Sequence, residues 1–166
     1  MVIKMDFANF MVHKVLVDNG SFVDILFMEV LRKMEIGITS VRPVCTQLIG
    51  FGGSEVIPLE TIDLPVSIGK ELKRKTMMIK FLVVETPLAY NVILGRPGLN
   101  LFKVVVSTFH LKIKFATMHG IGELKCDQKK VSRCYNLSVK KQTEGKRDIQ
   151  KQFGSVQQNV WKKIKK

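Results

Sequence analysis

The residues best suited to chemistry are Asp18, Asn19, Gly20 and Ser21, which follow the apolar run Val15-Leu16-Val17. A carboxylate on a tight loop at the end of a buried strand can activate water. It needs glycine to let the backbone approach closely, and nearby hydroxyls or amides to hold it in place. Asp-Asn-Gly between apolar runs is equally a strong turn signal, because Asn and Gly tolerate positive φ. Hydrolysis of a peptide bond by carboxylates alone takes two that share a proton across a water. No second Asp-x-Gly is present: Asp24, Asp63, Asp127 and Asp148 all lack the glycine. If Asp18 performs this chemistry, its partner comes from a second copy of the chain, with the two side chains facing each other on a twofold axis.

The elements around this loop are written mainly as strands. Ile62, Leu64 and Val66 alternate with Thr61, Asp63 and Pro65; Phe109, Leu111, Ile113 and Phe115 alternate with His110, Lys112 and Lys114. Such alternation is the pattern of a sheet with one buried face. Phe81 to Val84, Val92 to Leu94 and Val104 to Val106 are continuous apolar runs and are expected as buried strands. Gly50, Gly52, Gly53 and Ser54 mark a hairpin. Phe27, Val30, Leu31 and Met34 recur at helical spacing, with Asp24 placed as a cap and Gly37 beyond, which predicts about three turns of amphipathic helix. Gly95-Arg96-Pro97 opens a second, shorter helix, since proline suits a first helical turn. The expected body is mostly β, a small closed or folded-over sheet with one or two short helices.

Composition narrows the classes. The chain has 166 residues, 46% apolar and 25% charged, and carries a net charge of +13. Residues 1–124 hold 14 Lys or Arg against 11 Asp or Glu, a balance of +3, whereas residues 125–166 hold 13 against 3, a balance of +10. A nearly neutral folded body over 1–124 and a basic, looser segment over 125–166 are expected. No apolar stretch approaches the ~18 residues of a membrane span, so no membrane partner is expected. Cys45, Cys126 and Cys134 are too few for a disulfide framework and fit a reducing, intracellular and cytoplasmic setting. His119, Cys126 and Cys134 lack zinc-site spacing, and no metal or organic cofactor is implied. In the basic segment Ile149, Phe153, Val156, Val160, Trp161 and Ile164 fall roughly on one helical face among lysines. That segment is either a solvated linker or a contact for RNA phosphates.

Several blocks in order carry a family likeness: Val15 to Phe27 (VLVDNGSFVDILF), Arg42-Pro43 with Leu48 to Gly53 (LIGFGG), Phe81 to Val84 leading to Ala89 to Pro97 (AYNVILGRP), and Val105 to Phe115. Over roughly residues 7 to 137 the sequence resembles the retropepsin-like aspartic protease domain of gypsy-type retrotransposon polyproteins, especially those of plants. The resemblance implies a small closed β-barrel of the acid protease type. It also implies an aspartic endopeptidase that processes polyprotein substrates as a homodimer.

By the same resemblance, Asp18 is the catalytic carboxylate, contributed once by each subunit, and Gly20 gives the backbone room beside it. Ser21 occupies the position whose hydroxyl supports the carboxylate. Gly50, Phe51, Gly52, Gly53 and Ser54 correspond to the flap tip that closes over an extended peptide, and Leu94 and Gly95 to the pair packed beneath the active site. The sequence departs from the family pattern at Asn19, where Thr or Ser usually supplies a hydroxyl that bonds across the dimer; plant members often carry Gly or Asn there. Seventeen residues precede Asp18, little chain for an N-terminal interface strand of the retroviral type. That points to a dimer held by other surfaces or to a copy cut from a longer polyprotein. The rival expectations are a retropepsin-like fold kept as an inactive dimerisation or binding module, and RNA binding through residues 125–166.

Overall fold

The computed structural model describes residues 1–36, 42–43, 48–49, 55–85 and 89–126. The expected flap tip (Gly50 to Ser54), Cys45, Cys134 and the basic segment beyond Cys126 lie outside the described residues. The elements in chain order are β1 (Val2–Phe7), β2 (Phe10–Val17), β3 (Ile25–Phe27), α1 (Met28–Lys33), β4 (Arg42–Pro43), β5 (Leu48–Ile49) and β6 (Glu55–Val56). They continue with β7 (Glu60–Ile68), a 3₁₀ turn (Glu71–Lys73), β8 (Lys75–Val84), β9 (Val92–Leu94), α2 (Arg96–Phe102), β10 (Val104–Ser107), β11 (Lys112–Thr117) and β12 (Gly120–Lys125).

Six strands close into a barrel in the order β1-β2-β9-β3-β8-β7, and β7 returns to β1 through Asp6 opposite Ser67 and Phe7 opposite Val66. The long β7–β8 hairpin follows from alternation: Ile62, Leu64 and Val66 point inward, and Ile79, Phe81 and Val83 do the same on the partner strand. Phe7 and Phe81 meet inside the barrel with ring centroids 5.6 Å apart. Removing a ring of this kind from water stabilises the fold by about 2 to 3 kcal/mol. β10, β11 and β12 form a separate three-stranded sheet that lays Ile113 and Phe115 into the same core. Leu48 opposite Val56 and Ile49 opposite Glu55 pair as the two arms around residues 50–54.

The first helix is shorter than its pattern. Val30, Leu31 and Met34 are buried together, but α1 ends by Lys33 and Glu35 turns into the left-handed region at φ 50°. Asp24 is not its cap, for the cap position is Phe27 and no side chain bonds there. α2 begins where the proline places it, and Lys75 Nζ closes its far end on the carbonyls of Leu101 (3.3 Å) and Phe102 (3.1 Å). Two strand expectations also fail. β10 lies at an edge and Val105 is 69% exposed, so the run Val104 to Val106 is not buried. Phe109, 90% exposed, and Leu111 precede β11 in a turn. Ser107 Oγ accepts the His110 amide at 3.2 Å and closes that turn, as short hydroxyl side chains do when they compete with a ladder.

Candidate active site

β9 is the element that builds the site. It lies parallel to β2, with Val15 opposite Val92 and Val17 opposite Leu94, and antiparallel to β3, with Ile25 opposite Ile93. The loop 18–24 therefore leaves one neighbour of β9 and returns as the other. Asn91 fixes the entry to β9: its amide donates to Lys14 O (3.1 Å), its side-chain Nδ2 to His13 O (2.8 Å), and its carbonyl accepts from Phe27 N (3.2 Å). Parallel pairing demands a long connection between its strands, and here it brings residues more than seventy positions apart side by side.

Asp18 is half-buried where β2 ends, and its amide donates to Leu94 O at 3.0 Å. Its Oδ1 accepts the Gly20 amide at 2.9 Å, which fixes the carboxylate rotamer over the loop. A Cβ on Gly20 would stand 3.2 Å from that same oxygen, so the glycine keeps the carboxylate in place. Asn19 is exposed. The Ser21 hydroxyl donates to Val23 O at 2.9 Å rather than to the carboxylate, so it stiffens the loop. The Ser21 carbonyl accepts the Arg96 amide at 2.9 Å. Leu94 and Gly95 lie directly against the loop, and a Cβ on Gly95 would sit 2.3 Å from Val23 O.

Two features carry no local sequence signal. Asp24 is 3% exposed, and its Oδ1 accepts the Gly95 amide at 2.7 Å. Burial pushes its carboxyl up from 3.8 to about 6, although the backbone amides of Gly95 and Gly98 favour the ionised form. Asp24 thus serves the start of α2, on the far side of β9, and only the Gly95–Gly98 spacing hints at it. The second feature is Arg96, whose guanidinium lies 3.5 Å from the centroid of the Phe22 ring. Phe22 is 76% exposed, and Arg96 Nε is buried without a hydrogen-bond partner among the described residues. The cation–π contact pins an aromatic face beside the Asp18 loop.

No group of three or more His, Cys, Asp or Glu side chains among the described residues is placed to hold a metal. No helix among them is long and apolar enough to cross a membrane. A groove of about 1250 Å³ lies away from Asp18, between β1 and the turn after β7 on one side and β12 on the other.

The backbone can be compared with solved structures. The retroviral protease-like domain of Ddi1 from Leishmania major superposes with a TM-score of 0.55 over 77% of this chain and 96% of that one, at 16% identity. The fold is retropepsin-like. EIAV protease complexed with the inhibitor HBY-793 is also similar (TM-score 0.48, 23% identity, 64% of this chain and 91% of that one). So is a retropepsin-like aspartic protease from Rickettsia conorii (TM-score 0.46, 23% identity, 64% of this chain and 76% of that one). No family model matches the sequence, and neither does any curated protein. Within the retropepsin-like fold, the loop from Asp18 to Asp24 and the β9–α2 turn form the candidate site.

Proposed function

We propose that the chain is an aspartic endopeptidase that acts as a homodimer on extended polypeptide, each subunit contributing Asp18. The observation that carries this reading is the Asp18 loop itself: a carboxylate at a strand end, bonded to the Gly20 amide and tied through its own amide to Leu94 O. The nearby carboxylate in the chain, Asp24, is turned away into the start of α2 and is already bonded there. A second catalytic carboxylate is therefore supplied by a second copy, as an isologous interface would do. The likeness of the backbone to the retroviral protease-like domain of Ddi1 supports the same reading.

In the dimer the two Asp18 carboxylates share one proton, so that one acts as base and the other as acid. The ionised carboxylate takes a proton from the water whose oxygen attacks the scissile carbonyl carbon. The protonated partner gives its proton to the carbonyl oxygen, which yields a neutral tetrahedral diol. Collapse of the diol breaks the C–N bond as a proton passes to the leaving nitrogen. Processing of a retrotransposon polyprotein is the substrate setting we assign to this activity, on the strength of the sequence blocks given above.

The test is cleavage of a denatured polypeptide from mildly acidic to neutral pH, beside Asp18→Asn and a transition-state inhibitor of aspartic proteases. Specific activity should climb with protein concentration until the dimer saturates. Asp18→Asn should lower kcat by about 10⁴-fold or more. A folded, dimeric protein that leaves the polypeptide intact would overturn the enzyme reading and make Asn19 the first residue to revert to Thr.

A further inference from the structure

We propose that Asp24 is a positioning residue for the Asp18 carboxylate, acting through the β9–α2 turn; this rests on the peptidase reading above. The loop hangs from that turn at three points. At its start the Asp18 amide donates to Leu94 O (3.0 Å); at its middle the Arg96 amide donates to Ser21 O (2.9 Å); at its end Asp24 Oδ1 accepts from Gly95 N (2.7 Å). The main chain of Asp24 is held too, since its carbonyl accepts the Leu82 amide of β8 at 2.9 Å. Asp24 therefore joins β8, the loop and the start of α2 in one residue.

The first turn of α2 is cleared for this carboxylate. A Cβ on Gly98 would lie 2.8 Å from Asp24 Oδ1 and 2.5 Å from Leu94 Cδ1. Glycines at 95 and 98 thus admit the loop backbone and the carboxylate side by side. An apolar side chain could fill this volume, but it would leave the Gly95 and Gly98 amides without their acceptor, and buried unpaired donors are costly. Desolvation disfavours the ionised form of a carboxylate here, so packing alone gives no reason to keep one. Holding the backbone that fixes Asp18 does. At 3% exposure Asp24 cannot touch a substrate, so its influence reaches the reaction through geometry.

The experiment compares Asp24→Ala and Asp24→Asn with the unaltered protein, each verified as folded and dimeric, by steady-state peptide cleavage and by amide hydrogen exchange. Small displacements of a catalytic group cost on the order of 10- to 100-fold. Asp24→Ala should lose that much in kcat while KM stays within about twofold, and exchange at the Asp18 and Arg96 amides should quicken. Asp24→Asn keeps one acceptor oxygen and should recover most of both. Unchanged kcat in Asp24→Ala, a loss expressed wholly in KM, or unaltered exchange at Asp18 and Arg96 would overturn the proposal. If the unaltered protein cleaves nothing, exchange alone decides. Quicker exchange in Asp24→Ala upholds the positioning of the loop while the peptidase reading falls, and unchanged exchange overturns both.

Discussion

Two glycine turns on this molecule carry similar local sequence signals and are secured in opposite ways. Thr117-Met118-His119-Gly120 joins β11 to β12, and its bonds are its own: Thr117 Oγ1 donates to Gly120 O at 2.7 Å and accepts from His119 N at 3.3 Å. Asp18-Asn19-Gly20-Ser21 has local bonds as well, from the Gly20 amide to Asp18 Oδ1, the Ser21 amide to Asp18 O and the Ser21 hydroxyl to Val23 O, but it is also tied to Leu94 and Arg96, far along the chain. A turn needs only its own residues. A site needs a second segment to say where the turn sits, because catalysis depends on position to a fraction of an ångström.

The largest expected effect breaks the second kind of tie. In Gly95→Ala the new methyl would lie 2.3 Å from Val23 O and 3.0 Å from Ser21 O, both backbone atoms that cannot rotate away. The loop must part from β9, and stability should fall by about 4 kcal/mol. Denaturant unfolding measures this directly. A loss below about 1 kcal/mol would mean that the loop is free to shift, and the distinction drawn between the turns would fail.

A smaller effect comes from Asp24. Its folded carboxyl titrates at about 6 against an ordinary 3.8, chiefly because it is buried. The folded state therefore holds this proton more tightly than the unfolded chain does. The contribution to stability is complete below about pH 4, is lost as pH rises through about 6, and is flat above. The loss amounts to about 3 kcal/mol across that window. Unfolding measured at steps from pH 4 to 7 should show the decline in the unaltered protein and a shallower profile in Asp24→Asn. Equal slopes would show that the carboxyl titrates alike in the folded and unfolded chain.

What could be read from the sequence follows the same division. The Ile62-Leu64-Val66 alternation and the start of α2 at Arg96-Pro97 are local signals that the structure bears out, and the spacing of Phe27, Val30, Leu31 and Met34 marked a buried face correctly but overstated the length of α1. Asp24 was legible only as a nearby helix cap, because nothing within its own neighbourhood reveals a partner 71 residues away. The insertion of β9 between β2 and β3 is hidden for the same reason: Val92-Ile93-Leu94 states that a strand is buried and says nothing of its neighbours. Phe109 and Val105 misled in the other direction. Apolar patterning continued through a turn and out to a sheet edge, where hydroxyl bonding and edge position decide exposure. The Asp-Asn-Gly-Ser motif announced candidate chemistry, but its supports at Leu94, Gly95 and Arg96 gained their place only through the topology.

The smallest effect belongs to the self-contained turn. Gly120 has φ +102°, which a side chain adopts at a cost, yet a Cβ there would meet nothing within 4 Å. Gly120→Ala should therefore cost only the backbone strain, about 1 to 2 kcal/mol, with no displacement passed to the barrel. β11 and β12 remain paired from Lys112–Lys125 to Ala116–Ile121, so the strain has no path toward Asp18. Peptide cleavage by Gly120→Ala should match the unaltered protein while its unfolding midpoint drops. If cleavage fell in step with Gly95→Ala, the two turns would be coupled through the core that Phe115 shares with the barrel, and the independence of the local turn would be lost.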